Sequence, residues 1–393
     1  MAHEFLVIGL TIIIGFFSIL IFERTRISQV IILMLFGFLL GPALGILDVS
    51  QQSVIISILP FISTLALIVL LFDGGLEFDI FSVASSIPKS MLFTFSVFIA
   101  SVGVAGAFLF LVHGWALVHG ILLGAVAGGT SSAIVIAMAE KTRASRETKS
   151  LLTVESTLTD AICIITTVVI VQILTAQQAP GAGAVIGLLL SSFSTAIILG
   201  AVTAVAWIGF LGRFTIDKYA YMLTLAAVFI LYFVVEEIGG NGGFGVFVFG
   251  IFLGNARRIG KLANKDWENP MNGMMRFLQE EVAFFVRTFF FVYIGLLLSV
   301  NYFTPLVLGS SFALLVLFIA VRYAMQGIIL PGIPTLDRNL TAWILPRGLA
   351  AAILATFPMA NGIAIPNFQE FVFGILLLSN IAATAGVFAF DRR

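Results

Sequence analysis

The segment Leu151-Leu152-Thr153-Val154-Glu155-Ser156-Thr157-Leu158-Thr159-Asp160-Ala161 sets two carboxylates and several hydroxyls into a run that stays apolar as far as residue 175. If that run is a helix entering a membrane near residue 150, a rise of about 1.5 Å per residue puts Asp160 roughly 15 Å deep, close to the midplane. Thr130 and Ser131 fall at a similar depth, near the middle of the preceding run, residues 117–139. A charged side chain at that depth costs on the order of a few kcal/mol and persists where it has a partner or a function. Carboxylate, hydroxyl and backbone carbonyl oxygens are the ligands that replace water around a small alkali cation. Exclusion from water also disfavours an empty, charged carboxylate, so Asp160 is expected to hold a proton or a cation and to exchange one for the other. The candidate set is Asp160, with Thr130, Ser131, Ser156 and Thr159 as neutral oxygen ligands or site-shaping groups and Na+ or K+ as the ion. The plainer alternative is an aspartate that caps a broken helix or pairs with an arginine.

Helical spacing separates the two acids. Asp160 shares a face with Ser156, and Glu155 shares one with Thr159, because residues four apart are neighbours on a helix surface. Glu155 and Asp160 are five apart, about 140° around the axis. One face can line an ion path while the other turns into the protein. Glu155 is therefore expected to pair with an intramembrane arginine, Arg322 as first choice and Arg347 as second. For Arg347 two readings stand level: compensation of helix ends or tuning of Asp160, and a simple salt bridge.

The elements that position these groups follow from composition and charge. The chain has 393 residues, 60% of them hydrophobic and 10% charged, with a mean hydropathy of +1.14. Soluble domains are about 45–50% apolar and about 25% charged, so a polytopic helical membrane protein is expected. A net charge of zero argues against nucleic acid as a partner. The single Cys163 excludes a disulfide framework, and His3, His113 and His119 make no zinc motif. The first residues lack the basic segment of a secretion signal, so the first run is expected to be mature structure.

Apolar runs fall at 5–22, 28–46, 55–72, 90–112, 117–139, 150–175, 184–210, 219–235, 243–255, 277–299, 306–330, 340–357 and 368–390, which predicts thirteen spans. The alternate loops that follow the first span hold Arg24, Arg26, Lys89, Lys141, Arg143, Arg146, Lys149, Arg213, Lys218, Arg257, Arg258, Lys261, Lys265, Arg276 and Arg338, and the C-terminus adds Arg392 and Arg393. The remaining basic residues, Arg287, Arg322 and Arg347, lie within spans. The positive-inside rule then places the N-terminus outside and the C-terminus in the cytoplasm. Thirteen spans divide as 6+1+6, which makes the two sets of six antiparallel and predicts an inverted repeat, about 5–175 and 219–390, joined by a linker helix at 184–210. The chain reads as one integral membrane unit, 1–393, without a soluble domain. Spans 5 and 12 are equivalent in that scheme, and both are interrupted, at Gly128-Gly129-Thr130-Ser131-Ser132 and at Leu345-Pro346-Arg347-Gly348. Paired interruptions point to a binding site made from discontinuous helices. No convincing identity between the halves is evident, so the repeat rests on topology.

Weaker features complete the reading. Asp73-Gly74-Gly75-Leu76-Glu77-Phe78-Asp79 closes span 3 as an acidic funnel or a solvated helix end. Arg287 is expected to pair with Glu280 or Glu281, and Glu236 and Glu237 to be solvated at the outer edge.

Four motifs together, Leu71-Phe72-Asp73-Gly74-Gly75-Leu76, Gly129-Thr130-Ser131-Ser132, Glu155-Ser156-x-x-Thr159-Asp160 and Pro346-Arg347-Gly348-Leu349-Ala350, resemble the monovalent cation/proton antiporters, nearest the NhaP/NHE-type branch. Phe289-Phe290-Phe291-Val292-Tyr293-Ile294-Gly295-Leu296 is similar to a further stretch of that family. The resemblance implies a homodimer with a mobile core domain, crossed discontinuous helices 5 and 12, Asp160 as the cation-binding aspartate, and Glu155, Arg322 and Arg347 at the family's charged positions. The sequence departs from the family in two places. Thr159 stands where relatives carry asparagine or a second aspartate, and Thr-Ser-Ser stands where many carry Thr-Asp-Pro. With one titratable carboxylate, electroneutral 1:1 exchange by alternating access is expected, in the plasma membrane and without a cofactor. The rival readings are a cation channel or uniporter on the same scaffold and an organic anion symporter. An intramembrane enzyme finds no motif to support it.

Overall fold

The computed structural model describes residues 2–25, 27–47, 59–78, 80–81, 88–175, 182–212, 219–262, 267, 271, 273–297 and 304–391. Arg26, Asp79, Arg213, Lys218, Lys265, Arg392 and Arg393 lie outside the described residues. The described chain is helical throughout: α1 (Ala2–Thr25), α2 (Gln29–Phe38), α3 (Leu59–Glu77), α4 (Pro88–His113), α5 (Leu117–Ala127), α6 (Ser132–Glu140), α7 (Arg146–Thr175), α8 (Ala182–Leu211), α9 (Ala220–Glu237), α10 (Gly242–Gly254), α11 (Ala256–Leu262), α12 (Gly273–Leu297), α13 (Pro305–Ile329), α14 (Thr335–Trp343), α15 (Leu349–Ala360) and α16 (Phe368–Phe390). Among the described residues, seven helices are long and apolar enough to cross a bilayer and further apolar helices are shorter. This is the all-α polytopic class, because a segment in hydrocarbon must satisfy its backbone internally. Large apolar side chains such as Phe5, Ile99, Leu111 and Ile230 are exposed on these helices, where lipid rather than water is the solvent.

Spans 5 and 12 are each two helices. The fifth divides into α5 and α6 around Gly128–Ser131, and the twelfth into α14 and α15 around Ile344–Gly348. The twelfth begins earlier than the apolar run predicts. Pro334 precedes Thr335 and starts the helix there, and the polar stretch that follows is accommodated because Asp337 is buried and accepts the Ser145 N–H at 2.9 Å. Span 2 is also irregular: α2 continues into a π-helical turn at Leu39–Ala43 that contains Pro42, whose ring cannot join the regular ladder.

Contacts divide the chain into two compact units, residues 1–60, 86–171 and 288–393 in one, 61–85 and 172–287 in the other. In the first, α4 packs on α5 and α13, and α16 packs on α13, α14 and α15. Its core joins Phe22, Val135, Met138, Leu152, Leu340, Ile344 and Val387 from α1, α6, α7, α14, α16 and the break beside α14. In the second unit α8 and α9 pack on α10, and Tyr221, Gln279 and Asp73 form a chain of hydrogen bonds, each 3.0 Å long.

Because lipid tails are as apolar as leucine, helices in a membrane associate through close packing and hydrogen bonds rather than through the hydrophobic effect. Glycines make that packing in both units. A Cβ on Gly37 of α2 would stand on the Val292 carbonyl oxygen of α12, and one on Gly295 would stand on the Met34 oxygen. In the second unit a Cβ on Gly75 would strike the Phe247 oxygen, and one on Gly250 would lie 2.6 Å from the Phe72 oxygen. Each glycine thus meets the carbonyl three residues before its partner glycine, in the same register at both crossings. In the expected 6+1+6 scheme, exchanging the halves would convert the span 2–span 10 crossing into span 9–span 3. The matching segments are Phe36-Gly37-Phe38-Leu39-Leu40-Gly41 and Phe249-Gly250-Ile251-Phe252-Leu253-Gly254. This likeness between the halves escapes a reading of the sequence alone because it is short, and its glycines are ordinary in apolar helices until their contacts are known. Gly37→Ala is expected to destabilise the fold by roughly 1–3 kcal/mol, since backbone rather than a flexible side chain must move. Gly9→Ala, with open space at the position, is the control. Thermal unfolding in detergent compares them.

Candidate functional site

The two breaks meet. Three successive amides between α5 and α6 find partners outside their own helix: Thr130 N–H donates to Thr159 Oγ1 at 3.1 Å, Ser131 N–H to the Pro346 carbonyl at 2.9 Å, and Ser132 N–H to Asp160 Oδ2 at 2.9 Å. The second break is satisfied in the same way. Ser379 Oγ of α16 accepts the Arg347 N–H at 3.1 Å, and the Asn380 amide donates to the Arg347 carbonyl at 2.8 Å. Irregular backbone at membrane depth is tolerated where protein buries and pairs it, and residues 344–348 are all buried. Glycine permits the approach. A Cβ on Gly129 would collide with Cys163 Sγ, and one on Gly348 with the Ser131 side chain.

Asp160 on α7 faces the first turn of α6. Its Oδ2 accepts both the backbone N–H of Ser132 and, at 2.7 Å, the Ser132 hydroxyl. Oδ1 takes no hydrogen bond among the described residues, and the side chain is only partly buried. One oxygen is thus fixed by the protein and the other is open to a proton or a cation. Helix N-termini present unsatisfied N–H groups and partial positive charge, so this position favours a carboxylate.

The other predicted residues divide. Thr159 is buried, and besides accepting from Thr130 its hydroxyl lies 3.5 Å from Thr130 Oγ1, so it straps α7 to the break. Ser156 is fully buried and its hydroxyl donates to the Thr153 carbonyl of its own helix at 3.2 Å. Ser131 lies against Gly348 where the breaks cross. Ser132, absent from the predicted set, is the residue that touches Asp160. No local feature of the sequence separates it from Thr130 and Ser131, because the N-cap is Ser131 and the Ser132 hydroxyl reaches a carboxylate on another helix.

Glu155 turns the other way. Arg322 of α13 forks onto it, Nη1 to Oε1 and Nη2 to Oε2, the latter at 2.9 Å, and Arg322 Nε donates to the Thr341 carbonyl near the end of α14 at 2.8 Å. Both residues are buried. Arg347 makes no ion pair among the described residues. Its Nη1 donates to the Gly129 carbonyl just past the C-terminal end of α5, its guanidinium carbon lies 5.1 Å from the Phe318 ring centroid, and Nε has no partner. A cation there compensates the negative end of the half-helix. Arg287 makes no ion pair with Glu280 or Glu281 among the described residues, because all three lie on one helix without the approach a salt bridge needs. Glu236 is exposed but accepts the Gly242 N–H at 2.8 Å, so it caps α10. Asp73 and Glu77 line a small cavity in the second unit with Arg276, Gln279 and Glu280.

Discontinuous helices that cross beside a carboxylate-bearing helix recur at the substrate sites of secondary transporters. The model for the family "Sodium/hydrogen exchanger, transmembrane" matches residues 9–390, and the chain belongs to that family. It is 28% identical over 91% of its length to the K(+)/H(+) antiporter NhaP of Alkalimonas amylolytica, covering 61% of that protein. It is 27% identical over 83% of its length to a K(+)/H(+) antiporter NhaP2 of Shewanella sp. (strain MR-4), covering 56%. The chain therefore spans about six-tenths of these relatives or less. With the Na(+)/H(+) antiporter 1 of Methanocaldococcus jannaschii it shares 23% identity over 78% of its length, 72% of that protein. The solved structure of the sodium proton antiporter MjNhaP1 from the same organism at pH 8 superposes with a TM-score of 0.76 at 20% identity, covering 98% of this chain and 97% of that one. That likeness is one of fold.

Proposed function

We propose that this chain is a secondary active antiporter that exchanges a monovalent cation, Na+ or K+, for a proton by alternating access, the two competing for Asp160. The observation that carries the reading is the Asp160 carboxylate, held at one oxygen by Ser132 and open at the other, beside two crossing breaks. Family membership and the antiporter names of the relatives support it. Thr130, Ser131, Ser156 and Thr159 shape the site, with Thr159 and Ser156 acting through the backbone they bind. Thr159 cannot titrate, so one proton moves per cation and exchange is electroneutral. The Glu155–Arg322 pair holds α7, α13 and α14 together around the site. The protein works as a homodimer in the plasma membrane, N-terminus outside and C-terminus in the cytoplasm.

The unpaired Nε of Arg347 favours a second reading, an organic anion symporter. Against it, Arg347 is buried and its charge is met by the Gly129 carbonyl and the Phe318 ring, which leaves no cationic surface for an anion. Proton efflux from acid-loaded proteoliposomes on addition of Na+, Li+ or K+, with and without a clamped membrane potential, separates the cases. Efflux indifferent to the potential supports 1:1 antiport and names the cation. Cation flux without proton movement supports a channel, and carboxylate uptake without cation exchange supports the symporter.

A further inference from the structure

We infer that Ser379 and Asn380 of α16 are positioning residues that fix how the two breaks cross and so set which cations the site accepts, an inference that rests on Asp160 being the exchange site. The backbone of Arg347 is held on both sides by these neighbouring side chains. Ser379 Oγ accepts its N–H at 3.1 Å, and Asn380 Nδ2 donates to its carbonyl at 2.8 Å. Both side chains are anchored in turn on the Leu376 carbonyl of their own helix, Ser379 Oγ donating at 3.0 Å and Asn380 Nδ2 at 2.8 Å. The donor roles are then fixed: the hydroxyl gives to one carbonyl and takes one N–H, and the amide spends its two protons on two carbonyls. Asn380 Oδ1 has no partner among the described residues, so this residue pairs through its donors alone. Both side chains are buried.

From Arg347 the hold passes to the first break. Pro346, next to the clamped residue, accepts the Ser131 N–H through its carbonyl at 2.9 Å, and the Arg347 guanidinium binds the Gly129 carbonyl. Residues 346 and 347 thus grip the first break on either side of Thr130, at Gly129 and at Ser131. Thr130 and Ser131 are candidate oxygen ligands for the ion at Asp160. A site discriminates among cations through the size of its cavity and the number and strength of its oxygens. That geometry is only as definite as the groups that hold the ligand-bearing backbone. The first break has no helical ladder of its own, so α16, acting through the second break, supplies its fixed point. A pair that only satisfied buried backbone groups would cost stability when removed and leave cation preference alone.

The measurement is a ratio. Half-saturating Li+, Na+ and K+ concentrations for proton exchange are compared within each variant in proteoliposomes of the full chain, so that a loss of folded protein cancels. Ser379→Ala should change the Li+ to K+ ratio about threefold, and Asn380→Leu, which removes both donors, about tenfold. Ser379→Thr, which keeps the hydroxyl, should hold the native ratio, and so should Gly37→Ala, which is destabilised at a different crossing. A second readout needs no transport. Cys163 is the single cysteine; it is buried, and its Sγ stands where a Cβ on Gly129 would be, so a maleimide gains access as the first break loosens. At equal intervals below their melting temperatures in detergent, Asn380→Leu should be alkylated about fivefold faster than Gly37→Ala. A ratio that Ser379→Ala and Asn380→Leu leave native overturns the inference. Where exchange is too slow for a ratio, a Cys163 rate no faster than that of Gly37→Ala does so. Native protein that exchanges none of the three cations, while Cys163 responds as described, overturns the transport reading instead.

Discussion

Asp160→Asn should reduce cation-driven proton exchange to the rate of empty liposomes while leaving the protein folded. The asparagine side chain matches the carboxylate in shape, and its carbonyl oxygen can accept the two Ser132 hydrogen bonds at 2.9 and 2.7 Å. The junction between α6 and α7 therefore survives. What is lost is the group that can be neutral with a proton and negative without one, and with it the proposed competition between the two ions. The melting temperature should stay within a few degrees of native. Residual exchange with a pH dependence would place the titrating group elsewhere. Asp160→Glu is the instructive companion: it keeps the charge but lengthens the side chain, and should retain some exchange with an altered cation requirement.

Removal of one member of the Glu155–Arg322 pair should produce the largest loss of stability in the chain. Both side chains are 2% exposed, and the fork is bidentate. Breaking a buried pair costs about 3–5 kcal/mol, because the survivor is left charged and unpaired. Arg322 also holds the Thr341 carbonyl, so its loss releases the end of α14 next to the second break. Glu155→Ala and Arg322→Ala should each lower the unfolding temperature strongly and depress exchange. The double variant Glu155→Leu with Arg322→Met should recover much of the stability, since apolar residues of similar size can replace a buried pair without loss. Thermal unfolding of the two singles and the double measures the coupling directly. Single substitutions within about 1 kcal/mol of native would mean the pair is not the brace described here.

Much of this arrangement was legible in the sequence because membrane insertion imposes strong rules. The apolar runs locate the helices, and Gly128-Gly129 and Pro346-Arg347-Gly348 mark both interruptions, since glycine weakens a helix and proline has no N–H to donate to its ladder. A spacing of five from Glu155 to Asp160 puts the acids on different faces, and the structure turns one to Arg322 and the other to Ser132. Other contacts depend on the path of irregular backbone, which has no period to read. Nothing in Thr130-Ser131-Ser132 distinguishes which residue faces α7, and the three point to Thr159, Pro346 and Asp160 in turn. The start of the twelfth span is hidden in the sequence for a related reason: Asp337 looks like a loop residue until the Ser145 amide satisfies it. Arg347 could not be assigned from sequence because its main partners are a carbonyl and a ring, which carry no charge to match.

Mutual exclusion of a proton and a cation at one carboxylate is the core of the exchange proposed for Asp160. Its most direct test is proton release from the purified, detergent-solubilised protein held at fixed pH while Na+ or K+ is titrated in. Release should saturate at no more than one proton per cation bound, diminish at pH values where Asp160 is already ionised, and be absent in Asp160→Asn. Cation binding without proton release, or equal release from Asp160→Asn, would contradict it.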